Sequence, residues 1–364
     1  MTRSLPVTRI LALVLPAFFA WSSVADELPD PDGQPADLSS KVKVFIIMGQ
    51  SNTLEMGKVK GDKEGSLEYA VGTEGLYPFM VDDAGQWTKR QDVRNVHVMG
   101  SGGPGGRGGV KRNDWLTVSG NKIGIETGIG HQLGNALEEP VLILKSSIGN
   151  RSLGWDLLPP GSPSYEYELE VRNRKNKTTE KKTFVYAGYG QSPLSWEKGT
   201  EPEPIGWKAG VQYDGDVARA KDVLNNLDKY YPDAKGYEVA GFLWWQGDKD
   251  RYNEGHAAKY EQNLNNLISA LRQDFDEPNA KFVCATLGQT SHENAAGNEK
   301  RILDAQLAIS DASKYPALKG DVATVYTNPL SMGGASNGHY GGNAKTYMNV
   351  GLAMGAAMVE LLAE

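Results

Sequence analysis

Cysteine is nearly absent from this 364-residue chain, where Cys284 stands alone. A single thiol cannot close an internal disulfide, which excludes a disulfide-stapled scaffold. Cys284 sits inside the apolar run Lys281–Leu287 (KFVCATL), which reads as a buried strand and not as the setting of a reactive thiolate. Positive charge is in deficit. Lys and Arg number 38 against 45 Asp and Glu; without the first 25 residues, which hold Arg3, Arg9 and no acid, the balance is 36 to 45, a formal −9. Such a balance argues against a nucleic-acid binder or a polybasic membrane-surface protein. Histidine is scarce, with five residues. No His-x-x-x-His spacing or cysteine cluster supplies a ligand set, so neither a metal nor a cofactor is expected.

Long hydrophobic runs are also missing. Ile10–Trp21 extends for about 12 residues, where a bilayer span needs about 20. Preceded by Arg3 and Arg9 and followed by Ser23-Val24-Ala25, it reads as the core of a signal peptide over residues 1–25; a membrane anchor is the alternative. The expectation is a secreted or periplasmic protein with no stable membrane insertion after cleavage. Residues 26–40, rich in Pro, Asp and Gly, form a leader, and residues 41–364 form one domain. The sequence leaves the oligomeric state open.

Glycine, by contrast, is abundant at 43 residues, which predicts many tight turns. Between the turns lie short, nearly continuous apolar runs: Val42–Met48, Pro140–Lys145, Val239–Trp245, Lys281–Leu287 and Val322–Thr327. Runs of this kind suit parallel strands covered on both faces. Helical periodicity appears over Val217–Tyr230, Lys259–Phe275, Arg301–Ile309 and Ala344–Leu362. The alternation predicts an α/β fold, a doubly wound sheet of five mostly parallel strands with its site at the carboxyl ends of the strands. Two segments break the pattern. The glycine-rich Met99–Asn113 lacks a phosphate-loop fingerprint and reads as a loop near the site. Tyr165–Tyr186 reads as an exposed hairpin, within an insertion around 160–210.

The sharpest motif is Met48-Gly49-Gln50-Ser51-Asn52, directly after the first strand. A serine on a tight strand-to-helix turn projects its hydroxyl above the sheet edge, with its own N–H placed to favour negative charge; an ordinary helix cap is the plainer reading. Gly190-Gln191-Ser192 repeats the letters but follows no strong strand. His339, in a loop before the last helix, is placed to reach a serine after the first strand. Gly149 follows the PVLILK strand, and Gln246-Gly247-Asp248 follows the VAGFLWW strand. Gln246 offers an amide donor and Asp248 a carboxylate to orient an imidazole; helix capping or an ion pair with a nearby cation is the alternative for Asp248.

These segments, in this order and with Trp155 after the Gly149 loop, resemble the sialate O-acetylesterase-like branch of the SGNH hydrolases, which also holds acetyl xylan esterases. The likeness spans about residues 42–362. It implies a three-layer, flavodoxin-like α/β/α sandwich without metal, and removal of acetyl groups from an acetylated carbohydrate substrate. By motif, Ser51 is the nucleophile and His339 the base, with the Ser51 and Gly149 N–H groups and the Gln246 side chain as the oxyanion hole. Asn52, Asn150, Arg151 and Trp155 are the substrate-binding candidates, Arg151 being equally suited to packing. Glu126 is expected to anchor a loop. There are two main departures. The acid often found three residues before the histidine is Ser336 here, and Gln-Gly-Glu is Gln-Gly-Asp, which leaves Asp248 as the candidate acid. A glycan-binding protein of weak catalysis and an esterase of non-sugar short-chain esters are the rival readings.

Overall fold

Val42–Gly49 forms strand β1, and its alternation explains the layers. Val44, Ile46 and Met48 point into one apolar cluster, whereas Phe45 and Ile47 point into another. A strand buried on both faces belongs at the centre of a sheet between two helical layers. The coordinates, a computed structural model, describe residues 35–102, 108–173 and 177–364. The expected signal peptide, most of the leader and residues 103–107 of the glycine-rich segment lie outside the described residues.

In chain order the further elements are β2 (Gly57–Lys58), α1 (Leu67–Gly72), β3 (Lys89–Gly100), β4 (Gly108–Thr117), β5 (Lys122–Ile123), α2 (Glu126–Ala136) and β6 (Val141–Ser146). Then come β7 (Tyr165–Arg172), β8 (Thr179–Tyr186), β9 (Ser195–Glu197), α3 (Val211–Asn225), α4 (Leu227–Tyr230) and β10 (Tyr237–Trp245). The chain closes with α5 (Glu254–Asp274), β11 (Lys281–Ala285), α6 (Gly297–Ala308), β12 (Val322–Val325) and α7 (Ala344–Ala363). The main sheet runs β12-β11-β10-β1-β6-β3-β4. All neighbours are parallel except β3 and β4.

The α/β sandwich is as expected, but the sheet has seven strands, not five. β3 and β4 are missing from the five apolar runs because their sequences, KRQDVRNVHVMG and GGVKRNDWLT, are largely polar. They lie at one side of the sheet, where β4 is an antiparallel edge strand. Of the described parts of Met99–Asn113, residues 99–100 and 108–113 are therefore strand, and only Ser101 and Gly102 lie outside β3 and β4.

Helices α2 and α7 cover one face, packed on Phe45 and Ile47 of β1, while α3, α5 and α6 cover the other. The α2–α7 contact is so close that a Cβ on Gly351 would lie 2.4 Å from the Ile125 carbonyl oxygen. The hairpin β7–β8 pairs antiparallel, β9 adds a third strand, and this small sheet packs beside the start of α5.

Candidate active site

The carboxyl ends of β1, β6 and β10 lie side by side, since β1 pairs with both of the others. Each end carries one of the motifs. After β1, Gly49 takes φ +147°, and a Cβ there would lie 2.6 Å from the Trp245 carbonyl oxygen, so glycine alone allows the turn. Ser51–Thr53 then forms a single 3₁₀ turn. Thr53 pins it: its hydroxyl donates to the Gln50 carbonyl at 2.7 Å and lies 2.8 Å from the Ser147 hydroxyl. Ser51 itself is half-buried. Gly149 abuts it, since a Cβ on Gly149 would lie 3.5 Å from the Ser51 Cβ. Asn150, next in the chain, has a left-handed backbone at φ 57°.

The segment bearing the histidine is a second irregular turn. Ser336–Gly342 packs against the Ser51–Thr53 turn. His339, Tyr340 and Gly341 are all left-handed, at φ 50°, 52° and 63°. Non-glycine residues in this region carry strain that surrounding contacts must offset. The Tyr340 ring, fully buried, stacks on Trp245 at 5.6 Å, and its hydroxyl accepts from the Gly288 N–H at 3.1 Å. Tyr347 donates to the His339 carbonyl at 3.3 Å. The backbone on both sides of the imidazole is thus fixed.

Three expected roles change. Asp248 does not bond the His339 ring. Its Oδ1 accepts from the Ser336 hydroxyl at 2.6 Å and from Arg251 Nε at 2.8 Å, and the neighbouring arginine and serine occupy the carboxylate. Among the described residues the His339 ring has no carboxylate within ion-pair distance. Gln246 does not present its amide to an oxyanion. It is fully buried, and Nε2 donates to Asp250 Oδ2 at 2.6 Å, the Arg151 carbonyl at 2.9 Å and Gln50 Oε1 at 3.1 Å. Asn52 and Trp155 are not open to substrate. Asn52 is fully buried beside the Tyr340 hydroxyl, and the Trp155 ring is packed with Leu158, Ala187 and Ala209.

Asn150 and Arg151 remain at the surface of the site. Arg151 donates to Gln212 Oε1 at 3.2 Å and Ser101 Oγ at 3.1 Å, and its guanidinium lies 5.2 Å from the Trp207 ring centre. Trp207 escaped the sequence reading, being a lone aromatic in a Pro- and Glu-rich stretch. Asp250 also escaped it. This fully buried carboxylate accepts from the Leu153 and Gly154 N–H groups, both at 2.8 Å, and from Gln246. Burial pushes its carboxyl up to about 6, while the Gln246 bond opposes the shift. Asp250, not Asp248, ties the loops after β6 and β10 together. The two acids flank one turn, and their letters gave no means to choose.

The other histidines are structural. Burial and the Arg90 charge lower His131 to about 3; burial and Lys249 lower His256 to about 4. His97 Nδ1 lies 3.3 Å from Glu55. His292 packs on Tyr326. Ser192 is held by the Ile205 and Trp207 carbonyls inside the insertion. Glu126 accepts from the Gly124 N–H and from the buried Lys145 at 2.6 Å, as a loop anchor does. Among the described residues no group of three or more His, Cys, Asp or Glu is arranged to hold a metal ion.

A family model described as carbohydrate esterase, sialic acid-specific acetylesterase, matches residues 161–360, more than half of the chain. The chain belongs to this family. It is a carboxylic ester hydrolase acting on acetyl groups of carbohydrate. The matched span of this acetylesterase includes Gln246, Asp248, Asp250 and His339, whereas Ser51 and Gly149 precede it. No curated relative matches the chain. Among solved structures, a carbohydrate acetylesterase from Xanthomonas citri is 15% identical, with a TM-score of 0.50, and the aligned region covers 88% of this chain and 57% of that one. That likeness concerns the fold. A protein from Arabidopsis thaliana is also 15% identical, at TM-score 0.46, covering 88% of this chain and 98% of that one. NanS is 14% identical at TM-score 0.41, covering 83% and 80%.

Proposed function

We propose that the protein is an exported serine esterase that removes O-acetyl groups from a sugar or polysaccharide through Ser51 and His339. One observation carries the reading: at the carboxyl edge of the sheet, the Ser51 turn is flanked by Gly149 on one side and by the His339 segment on the other. Ser51 Oγ attacks the acetyl carbonyl carbon and its proton passes to His339. The carbonyl oxygen becomes an oxyanion facing the Ser51 and Gly149 N–H groups. Collapse breaks the ester bond, and the departing sugar oxygen takes the proton from the imidazolium. A water molecule, deprotonated by the same imidazole, then attacks the acetyl-serine; acetate leaves, and the proton returns to Ser51.

Asp248 acts in this scheme as a positioning residue. It holds Ser336, three residues before His339, so Ser51 and His339 work as a pair. Gln246 is also a positioning residue, joining the Ser51 turn, the Arg151 loop and Asp250. Arg151 and Trp207 flank the site and supply a cation and an aromatic surface for the sugar. Export rests on the sequence alone, on Arg3 and Arg9, the apolar run and Ser23-Val24-Ala25.

The test is acetate release from acetylated xylan and acetylated sialic acid, with a long-chain ester for comparison. Ser51→Ala is expected to lower kcat by several orders of magnitude, up to roughly 10⁶-fold. Ser192→Ala is expected to leave kcat within about twofold, since Ser192 lies in the insertion. Near-normal release from the Ser51 variant would remove it as the nucleophile. Activity should also persist after prolonged EDTA treatment; loss reversed by zinc would sink the serine mechanism.

A further inference from the structure

The chain leaving Ser51 passes two clefts that the reaction does not use. Glu55 lines one of about 450 Å³, with Lys111, Arg112 and Lys122. Three residues later Lys58 enters the other, of about 430 Å³, together with Lys60, Lys63 and the residues Tyr340–Gly342 that directly follow His339. The clefts are joined by the β2–β5 ribbon, in which Lys58 and Lys122 are paired across the two strands. Six cations therefore gather along one path beside the nucleophile and base, on a protein whose overall charge is negative.

Among the described residues, five of the six charges are unpaired, whereas Arg112 lies 3.9 Å from Glu55 and 4.0 Å from Asp114. Lys58, Lys60, Lys63, Lys111 and Lys122 are exposed, and none has an ion-pair partner among the described residues. The acids nearby are largely engaged elsewhere. Glu64 turns to Lys345 at 3.5 Å. Glu55 is 3.3 Å from both the buried Lys145 and His97 Nδ1. Burial opposes the Glu55 charge, but Lys145 and His97 outweigh it and hold the carboxyl well below the usual carboxylate range. Among the described residues, Asp62 is the one acid that stands unengaged in the Lys58 cleft. The Glu55 cleft also keeps an unsatisfied buried atom: His97, 3% exposed, lines it, and its Nε2 has no hydrogen-bond partner among the described residues.

We propose that the two clefts and the ribbon form a binding track for an acidic polysaccharide, a glycan chain bearing carboxylates on its successive units. This rests on the Ser51–His339 reading: the acetylated unit lies over Ser51, and further units of the chain run along the ribbon against Lys58, Lys60 and Lys63 and against Lys111, Arg112 and Lys122. Single cations spaced along a path suit single charges spaced along a chain, rather than one concentrated anion. Lysine, a point charge on a flexible stem, tolerates the varied placement of those carboxylates. A nucleic acid fits less well. The clefts present no exposed aromatic platform for bases, since Tyr340 is fully buried, and the net charge repels a dense polyanion.

The experiment uses the whole protein as the cell produces it. Acetate release from O-acetylated polygalacturonate and O-acetylated xylan is measured at low salt and at 0.5 M NaCl, with Lys58→Gln/Lys60→Gln and Lys111→Gln/Lys122→Gln. Each double variant, and salt, is expected to raise KM for the acidic polymer about tenfold and to lower its preference over xylan by the same factor. Lys181→Gln/Lys300→Gln, remote surface lysines, should leave KM unchanged. Binding of de-acetylated polygalacturonate is measured alongside by calorimetry, with an oligo-dT strand of equal charge. Equal KM for both polymers with no salt dependence would overturn the track while leaving the esterase intact. If the unmodified protein releases acetate from neither polymer, the calorimetry decides: binding weakened in both double variants upholds the track and sinks the Ser51 reading instead. No binding, binding indifferent to the variants, or tighter binding of oligo-dT rejects the track.

Discussion

Asn150 follows Gly149 beside the Ser51 turn, and its backbone shows what that position requires. At φ 57° it is left-handed, a conformation that asparagine accepts better than any other residue except glycine. Asn150→Gly is therefore expected to change stability by only a few tenths of a kcal/mol, whereas a β-branched Asn150→Val should cost about 1–2 kcal/mol. Urea unfolding midpoints check both. A valine variant as stable as wild type would mean that the loop relaxes freely, and Gly149 beside it would then be poorly fixed for holding an oxyanion. Glu126 and Cys284 behave as their sequence contexts suggest, one as a buried anchor and one as a core side chain. Asn52, Trp155 and Gln246 do not. Their types suggest contact with substrate, but burial turns them inward.

At the scale of elements, the 336–342 turn decides how the imidazole is presented. Four consecutive residues of positive φ, His339 to Gly342, cannot be read from the letters of Ser336–Gly342. They persist because Tyr340 is clamped between Trp245 and the Gly288 N–H. Asp248 stabilises the start of the turn through Ser336 and not the ring itself. Asp248→Asn, which keeps shape and removes charge, is accordingly expected to lower kcat less than about tenfold, with KM little changed; removing a direct triad carboxylate can cost about 10⁴-fold. A loss of that larger size, measured with the fold intact by circular dichroism, would mean that the ring swings to Asp248 in the substrate complex. The β3–β4 pair was illegible for a different reason. Its polar residues serve ion pairs and the Glu55 cleft, so apolar runs do not mark it.

For the whole molecule, buried ionisable groups set opposing pH trends. His131 and His256 have folded values near 3 and 4, below the ordinary 6.5. The unfolded chain therefore binds their protons first, and stability is lost as pH falls from about 6.5 towards those values. Asp216 and Asp250, raised by burial to about 7 and about 6, act the other way: their contribution is full below pH 4 and declines as pH rises to 6–7. The histidine part is isolated by His131→Phe, which keeps a ring against Phe79, 4.8 Å away. The variant is expected to lose less stability than wild type between pH 6.5 and 4, read as the shift in thermal midpoint. Equal slopes would mean that His131 is already protonated in the fold.

The α/β alternation, the buried strands β1, β6, β10, β11 and β12, and the strand-end placement of Ser51, Gly149 and Gln246 follow from the sequence by itself. A strand covered on both faces must be apolar throughout, and a glycine-bounded turn after such a strand must emerge at the sheet edge. Which partner each polar side chain at the strand ends takes was decided only by the tertiary structure. Gln246, Asp248 and Asp250 stand within five residues on one turn, and their letters are nearly interchangeable. Their partners come from elsewhere in the chain: Gln50 and Arg151 for Gln246, Ser336 for Asp248, Leu153 and Gly154 for Asp250. A buried polar group must be paired where it lies, so long-range packing determines its direction, and local sequence carries no record of that.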